Sequence, residues 1–548
     1  MPRYARTSES LSVEYVDIRR PFSNFGFIET RFGEIFPFPL RRIMSQVRQH
    51  DGKTLVIEEL DARMADDLRE ENEDIQIRFP SFSVSKAFRV SFFRAVLSGK
   101  SDLLAATPDE FLGYAIMKVD GIPCPCNSTR VYESVIRASR YTNNFIRGAR
   151  TWECCVDGRA FPVIGYLYAE QNGVTNTCAH VALRTVAARY HENGDMSYRE
   201  MNRLTGIPEQ GIPKVDHTTR TVGWPDKKGL YPLEIRNILT AMGARCFLAQ
   251  YMKYVPGNEP PPFAKYLYGS VESGYPAIVG FEAGTVAHHA IPVFGHTFNE
   301  DAWVQSAEWS YFRIGPRTAY VPSDSWLSAF IGHDDNWGSN FCIPRHFLQT
   351  RRSCDKLPSG AGLCQMESRC VAYVIGTFPQ GVEVSSATAE LIGVDYLPPL
   401  LQQLPKQGTT WAERLQAYFE HSLLVFRPVL ITPSEYLSHL RSISDWKHKR
   451  IAEMHIGALE KGIIQEERLW MIEMSIPELF SANRRKIAEI LLRAEVAPDN
   501  ERDFKSLLLA RLPGWFAIPP RMGGESAFRF VPSQVEDHVE LYGCEERV

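Results

Sequence analysis

Gln171-Asn-Gly-Val-Thr-Asn-Thr-Cys178-Ala-His-Val-Ala-Leu-Arg-Thr-Val186 is the stretch from which the rest of this 548-residue chain can be read. Thr175, Asn176 and Thr177 are helix-capping residue types. Ala179, Ala182, Leu183, Val186 and Tyr190 then recur at helical spacing, which predicts a helix with Cys178 in its first turn. A thiol in that position lies among unpaired backbone N–H groups at the positive end of the helix dipole. Both stabilise the thiolate and lower a free-cysteine pKa of about 8.5. Upstream, Gln171 supplies an amide N–H suited to a developing oxyanion. A lone cysteine on an apolar helix is more often a packing residue, so the weight of this reading comes from the rest of the chain.

Composition bounds the alternatives. At 44% hydrophobic and 23% charged residues the chain reads as a soluble globular protein long enough for about three domains. A formal net charge of −4 provides no global field for nucleic acid or an anionic membrane. The one basic, aromatic stretch, Arg137 to Arg150 with Tyr141 and Phe145, reads as a solvated helix face. The first ten residues lack the apolar core of a signal peptide, and no run approaches the roughly 18 apolar residues of a membrane-spanning helix. A cytoplasmic location is therefore expected. The eleven cysteines have no regular spacing and are expected to be reduced thiols. Cys124, Cys126, Cys154 and Cys155 lack zinc-site spacing and a supporting histidine, so neither a metal nor a cofactor is expected.

Three regions follow. Residues 1–150 read as an α+β segment, with strands at Leu11–Ile18, Thr54–Leu60 and Ile75–Phe79, a helix over Ser83–Leu97 and a helix start at Thr107-Pro-Asp-Glu110. Residues 151–350 carry the candidate chemistry: a strand at Phe161–Tyr168, the Cys178 helix, a second helix over Gly229–Gly243 with Pro232 near its first turn and Gly243 as its stop, and then mostly strands. Residues 351–548 read as a helix-rich α+β segment with strands at Val371–Phe378 and Leu423–Ile431. Helices are expected there at Pro433–Ile443 and around Ser475–Leu492, with Glu473, Arg485 and Lys486 as solvated charges or ion pairs.

The second half of the constellation lies about a hundred residues beyond Cys178. Pro276–Gly284 reads as a buried strand and His288-His-Ala-Ile-Pro-Val as a returning one, with His289 at its mouth. An imidazole there is suited to take the thiol proton and return it to a leaving group. The next strand, Trp326–Gly338, ends in Asp334 and Asp335, either of which can hold the imidazole tautomer. An Asp/Asn/Gly turn needs no catalytic role, so chain order gives these residues their weight.

That order, with Gln171…Cys178 on a helix, His289 opening a strand and an acid on the next, resembles the papain-like cysteine peptidases. Gly274-Tyr-Pro-Ala-Ile-Val and His289-Ala-Ile-Pro-Val-Phe-Gly look particularly like the branch containing bacterial peptidases that process double-glycine leaders. The resemblance covers about 180 residues. It implies an α+β fold in which the nucleophile helix packs on an antiparallel sheet, Cys178 as nucleophile, His289 as base and acid, Gln171 in the oxyanion hole, and a protein or peptide substrate. The Gln-to-Cys gap is one residue longer than is common in the family, which makes Asn172 a second oxyanion candidate. A papain-like Asn-Ser-Trp-Gly aligned on Asp335-Asn-Trp-Gly favours Asp335, while the leader-peptidase pattern favours Asp334. The same residues suit a transglutaminase-like acyl transfer, and the chain is also readable as a catalytically silent papain-like interaction module.

Overall fold

The computed structural model describes residues 6–544 except 20–30, 33–37, 62, 64, 79–81, 122–128, 139–143, 172–177, 193, 206–213, 217–220, 224–229, 253–260, 284–286, 299–319, 350–368, 406–409, 496–504 and 521–526. It is a mixed α+β structure built on three main antiparallel sheets. The first is a meander of β1 (Ser10–Asp17), β2 (Thr54–Leu60), β3 (Ser83–Phe93), β4 (Phe111–Gly121) and β5 (Thr129–Ile136), paired in that order. The helix expected over Ser83–Leu97 is therefore a strand. Val90 and Phe92 enter one apolar cluster while Ala87 and Phe93 enter another, so β3 is covered on both faces and its sequence loses the alternation that marks a strand. Conversely, Ile75–Arg78 of the strand expected at Ile75–Phe79 falls in helix α2 (Asp66–Arg78), which follows α1 (Phe38–Gln49). Asp66 and Asp67 in its first turn favour the helix dipole. Thr107-Pro-Asp-Glu110 forms a capping box, but it closes a single 3-10 turn before β4.

The central sheet orders its strands β9 (Ala244–Gln250), β14 (Arg369–Pro379), β10 (Ala277–Ala283), β11 (Ala287–Phe298), β12 (Leu327–Asp334) and β13 (Gly338–Pro344). A short β6 (Asn144–Ile146) pairs with the far end of β11, replacing the helical face expected for Arg137–Arg150. The hairpin β7 (Arg150–Val156) and β8 (Arg159–Gly165) leads toward Gln171. Helices α3 (Cys178–Tyr190), α4 (Tyr198–Thr205) and α5 (Pro232–Ala241) cover one face of the sheet. There Ala179, Leu183, Ile235 and Ile238 pack with Ile278, Ala290 and Ile375. Pro232 opens α5, and Gly243, at φ +99°, follows its end as expected. Helix α6 (Phe263–Glu272), which the sequence did not announce, covers the other face with Leu267 and Val271 against Val279, Ile291 and Val293. The sheet thus takes β6 and β14 from outside residues 151–350.

After β14 the chain forms α7 (Ser386–Gln403) and a third sheet of β15 (Val425–Ile431), β16 (Leu469–Ser475), β17 (Ala488–Arg493), β18 (Leu507–Leu512), β19 (Trp515–Ile518) and β20 (Arg529–Pro532). Helix α8 (Pro433–Ser442) forms behind a Thr432–Glu435 capping box. The helix expected over Ser475–Leu492 shrinks to α9 (Pro477–Asn483), because Ala488–Arg493 is drawn into the sheet. Cys370 is disulfide-bonded, contrary to the expectation of uniformly reduced thiols. Among the described residues no helix is long and apolar enough to cross a membrane.

Candidate active site at the mouth of the central sheet

Helix α3 begins at Cys178, so the backbone carries this residue in the first turn. Its side chain lies outside the described residues, as do Asn172 and the capping residues Thr175 to Thr177. What the structure describes is how α3 is seated. It packs against β11, and Ala179 and Ala290, the chain neighbours of Cys178 and His289, share one apolar cluster. Thr185 Oγ1 donates to Leu167 O at 2.8 Å, and Arg184 is clamped by Asp195 at 2.7 Å and Glu133 of β5 at 3.1 Å. From Ala179 to Ala188 helix α3 is buried on every side, which explains why its alanine-rich sequence shows little polar face.

His289 sits near the start of β11, opposite Phe281 in the register and edge-on to its ring at 5.3 Å. Strand alternation therefore turns Ala290 toward α3 and His289 toward the Phe281 face. At the sheet's end its Nε2 meets the β12–β13 turn: Asp335 Oδ1 lies at 3.1 Å and Asp334 Oδ1 at 3.5 Å. All three side chains are buried or nearly so, Asp335 most deeply at 2% exposure.

The two acids are not equivalent. Asp334 Oδ1 accepts the backbone N–H of Asn336 at 2.9 Å and of Trp337 at 3.2 Å, an Asx cap that shapes the turn. Asp335 Oδ1 is the nearer to His289, and among the described residues Asp335 Oδ2 has no hydrogen-bond partner. The turn is buttressed from the N-terminal region. Arg42 of α1 donates to Asn340 O at 2.7 Å, and Gln46 donates to Ser339 Oγ at 3.0 Å. Gly338, at φ +111°, would carry a Cβ only 2.8 Å from Arg42 Cβ, so the turn requires glycine there.

Gln171 reaches this turn: its Nε2 donates to Asn336 Oδ1 at 3.4 Å, and Asn336 Nδ2 lies 3.5 Å from His289 Nε2. The structure thus brings together Gln171, His289, Asp334 and Asp335 through Asn336, a residue to which the sequence reading gave no role. Its signal was present, since it is the second residue of the Asp335-Asn-Trp-Gly motif. Two further neighbours escaped notice. Tyr168 Oη donates to Asp335 O at 3.5 Å. Burial pushes the Glu170 carboxyl up to about 8, against the Val131 N–H and the charge of Arg130, with Asp335 adding to the rise. No sequence pattern distinguishes Glu170 from a surface glutamate, because its environment is assembled by β5 and the distant turn.

Two other histidines near the site are engaged elsewhere. His180 Nε2 is bound to Asn202 Oδ1 at 2.8 Å, and His333 is held between Tyr166 O at 3.2 Å and the Asn340 N–H at 3.0 Å, burial lowering its pKa to about 3. The His288 side chain lies outside the described residues. A cavity of about 520 Å³ between α2 and α4 is lined by none of Gln171, His289, Asp334, Asp335 or Asn336. It is acidic, but Asp74 is already bound by Arg199 at 2.6 Å and Asp195 by Arg184. No family model matches the chain, and neither a curated protein nor a solved structure was found to match it.

Proposed function

We propose that this chain is a papain-like cysteine hydrolase that cleaves a peptide or isopeptide bond of a protein or peptide substrate through a Cys178 acyl-enzyme. One observation carries the reading: His289 Nε2 lies 3.1 Å from Asp335 Oδ1 at the end of the sheet on which the Cys178 helix packs, with the Gln171 amide tied into the same turn. Asp335 fixes the tautomer by accepting the Nε2 proton, which leaves Nδ1 to take the proton of the Cys178 thiol. Alternation turns Ala290 rather than His289 toward α3, so this reading requires the thiol and imidazole to meet across the open end of the sheet. The thiolate attacks the carbonyl carbon, and the oxyanion is held by the Gln171 amide and the Cys178 N–H. His289 then gives its proton to the leaving amine. Water, deprotonated by the same imidazole, adds to the thioester, and the thiol departs with the acid product released. The chemistry requires Cys178 as a free thiol.

A peptide carrying an electrophilic vinyl sulfone tests the assignment. Intact-mass analysis should show one adduct mapping to Cys178 in the wild-type chain and none in Cys178→Ala; labelling spread over other cysteines, or absent, refutes it. Adding a primary amine to a turnover assay separates hydrolysis from acyl transfer, since transfer yields the amine-linked product.

A further inference from the structure

The surroundings of His289 Nε2 are over-supplied with negative charge. Two carboxylate oxygens approach one ring nitrogen, at 3.1 Å and 3.5 Å, while the Asn336 amide nitrogen comes within 3.5 Å of the same atom. A proton on Nε2 points to one acceptor only, and Asp335 Oδ2, in a side chain 2% exposed, has no partner among the described residues. Burying a carboxylate oxygen without a donor is costly. Even a protonated imidazole leaves the group of two aspartates and one histidine with a net negative charge.

We propose that His289, Asp334 and Asp335 form a binding site for a divalent first-row cation. One ligand atom from each residue can be chosen so that all three lie within 4.8 Å of one another. Bonds of about 2.0–2.1 Å separate adjacent ligands by roughly 2.8–3.0 Å around an octahedral ion and roughly 3.3–3.4 Å around a tetrahedral one, near the observed Nε2-to-oxygen spacings of 3.1 Å and 3.5 Å. A divalent ion neutralises both aspartates with the histidine uncharged and gives Asp335 Oδ2 a partner, either directly or through a bound water. One nitrogen and two oxygens is a donor set for manganese, iron or zinc, with the remaining positions left to water or substrate. The site uses Nε2, the atom that the proposed hydrolase reserves for the Asp335 hydrogen bond. A bound cation therefore withdraws His289 from acid–base work, and occupancy inhibits. That consequence rests on the thiol-hydrolase reading; the binding itself does not.

The probe is Mn2+, which the chain's many thiols bind weakly. Titrated into the chelator-washed full chain, it should lose its free-ion paramagnetic resonance signal up to one equivalent. Asp335→Asn alone, in which Asp334 keeps its turn cap, should weaken binding by about tenfold or more, and the Asp334→Asn/Asp335→Asn double variant should abolish it. Cys178→Ala should bind as the wild type does. A wild-type chain with no saturable binding, or a folded Asp335→Asn chain that binds like the wild type, overturns the site. Binding with no effect on turnover removes the inhibitory role and leaves the site standing.

Discussion

His289 and His296 lie on the same strand, and each faces carboxylates, yet they belong to opposite kinds of environment. His296 Nε2 meets Glu272 Oε1 at 2.6 Å, and Glu272 is also bound by Arg427 at 2.9 Å. From Arg427 the charges continue in alternation through Glu473 at 2.6 Å, Lys486 at 2.6 Å, Glu489 at 2.7 Å and Arg511 at 3.0 Å. Each carboxylate in that chain has a guanidinium or ammonium group within 3.0 Å, so the network closes electrically inside the protein while joining α6 and β11 to the third sheet. At His289 two aspartates share one imidazole, and a carboxylate oxygen stays unmatched among the described residues. On the proposed reading the difference separates roles: His296 joins the central sheet to the third sheet, whereas His289 at the mouth of its sheet serves proton transfer.

Exchanging the two histidines' fates is the sharpest way to break this contrast. His289→Ala should lower kcat/KM by about 10³-fold or more with little change in Tm. His296→Ala should do the reverse, destabilising the fold while leaving the rate per folded molecule within a few-fold. Paired calorimetry and turnover measurements decide it. Removing the cation that bridges Glu272 and Glu473, by Arg427→Met, should cost about 3–5 kcal/mol in urea unfolding, because two buried carboxylates lose their partner.

Smaller effects should separate the two aspartates. Asp335→Asn is expected to reduce kcat/KM by about 10- to 100-fold, whereas Asp334→Ala should mainly remove a turn cap worth about 1 kcal/mol of stability. Equal activity losses would erase the distinction drawn from the hydrogen bonds. The gentlest test is acid titration of stability. Burial alone raises Glu272 and Glu489. Arg427 and His296 outweigh it at Glu272, as do Arg511 and Lys486 at Glu489, and hold both well below the usual carboxylate range. A depressed folded-state pKa contributes stability above the unfolded value of about 4.3 and loses it as pH falls further. Urea midpoints should therefore decline steeply below about pH 4.5, and less steeply in Arg427→Met.

The same contrast explains what could be read from the chain before its structure. Cys178 opening a helix, His289 near the start of a strand and Asp334 ending the next were legible because helical spacing and short apolar runs mark those elements locally. The strand at β3 was not, since covering it on both faces removed its alternation. Nor was the buried network: Glu473, Lys486 and Glu489 look like ordinary surface charges, and only pairing of β15 through β18 brings them together. Asn336 lay between these cases, within a recognised motif but given no role until Gln171 and His289 were found on either side of it.

Alkylation of Cys178 by iodoacetamide as a function of pH, mapped by peptide mass and compared with His289→Ala, tests the central claim most directly. A thiol paired with His289 should react rapidly down to about pH 6, with the variant reverting to an ordinary thiol profile centred near pH 8.5. Indistinguishable profiles, both centred near pH 8.5, would contradict the pairing of Cys178 with His289.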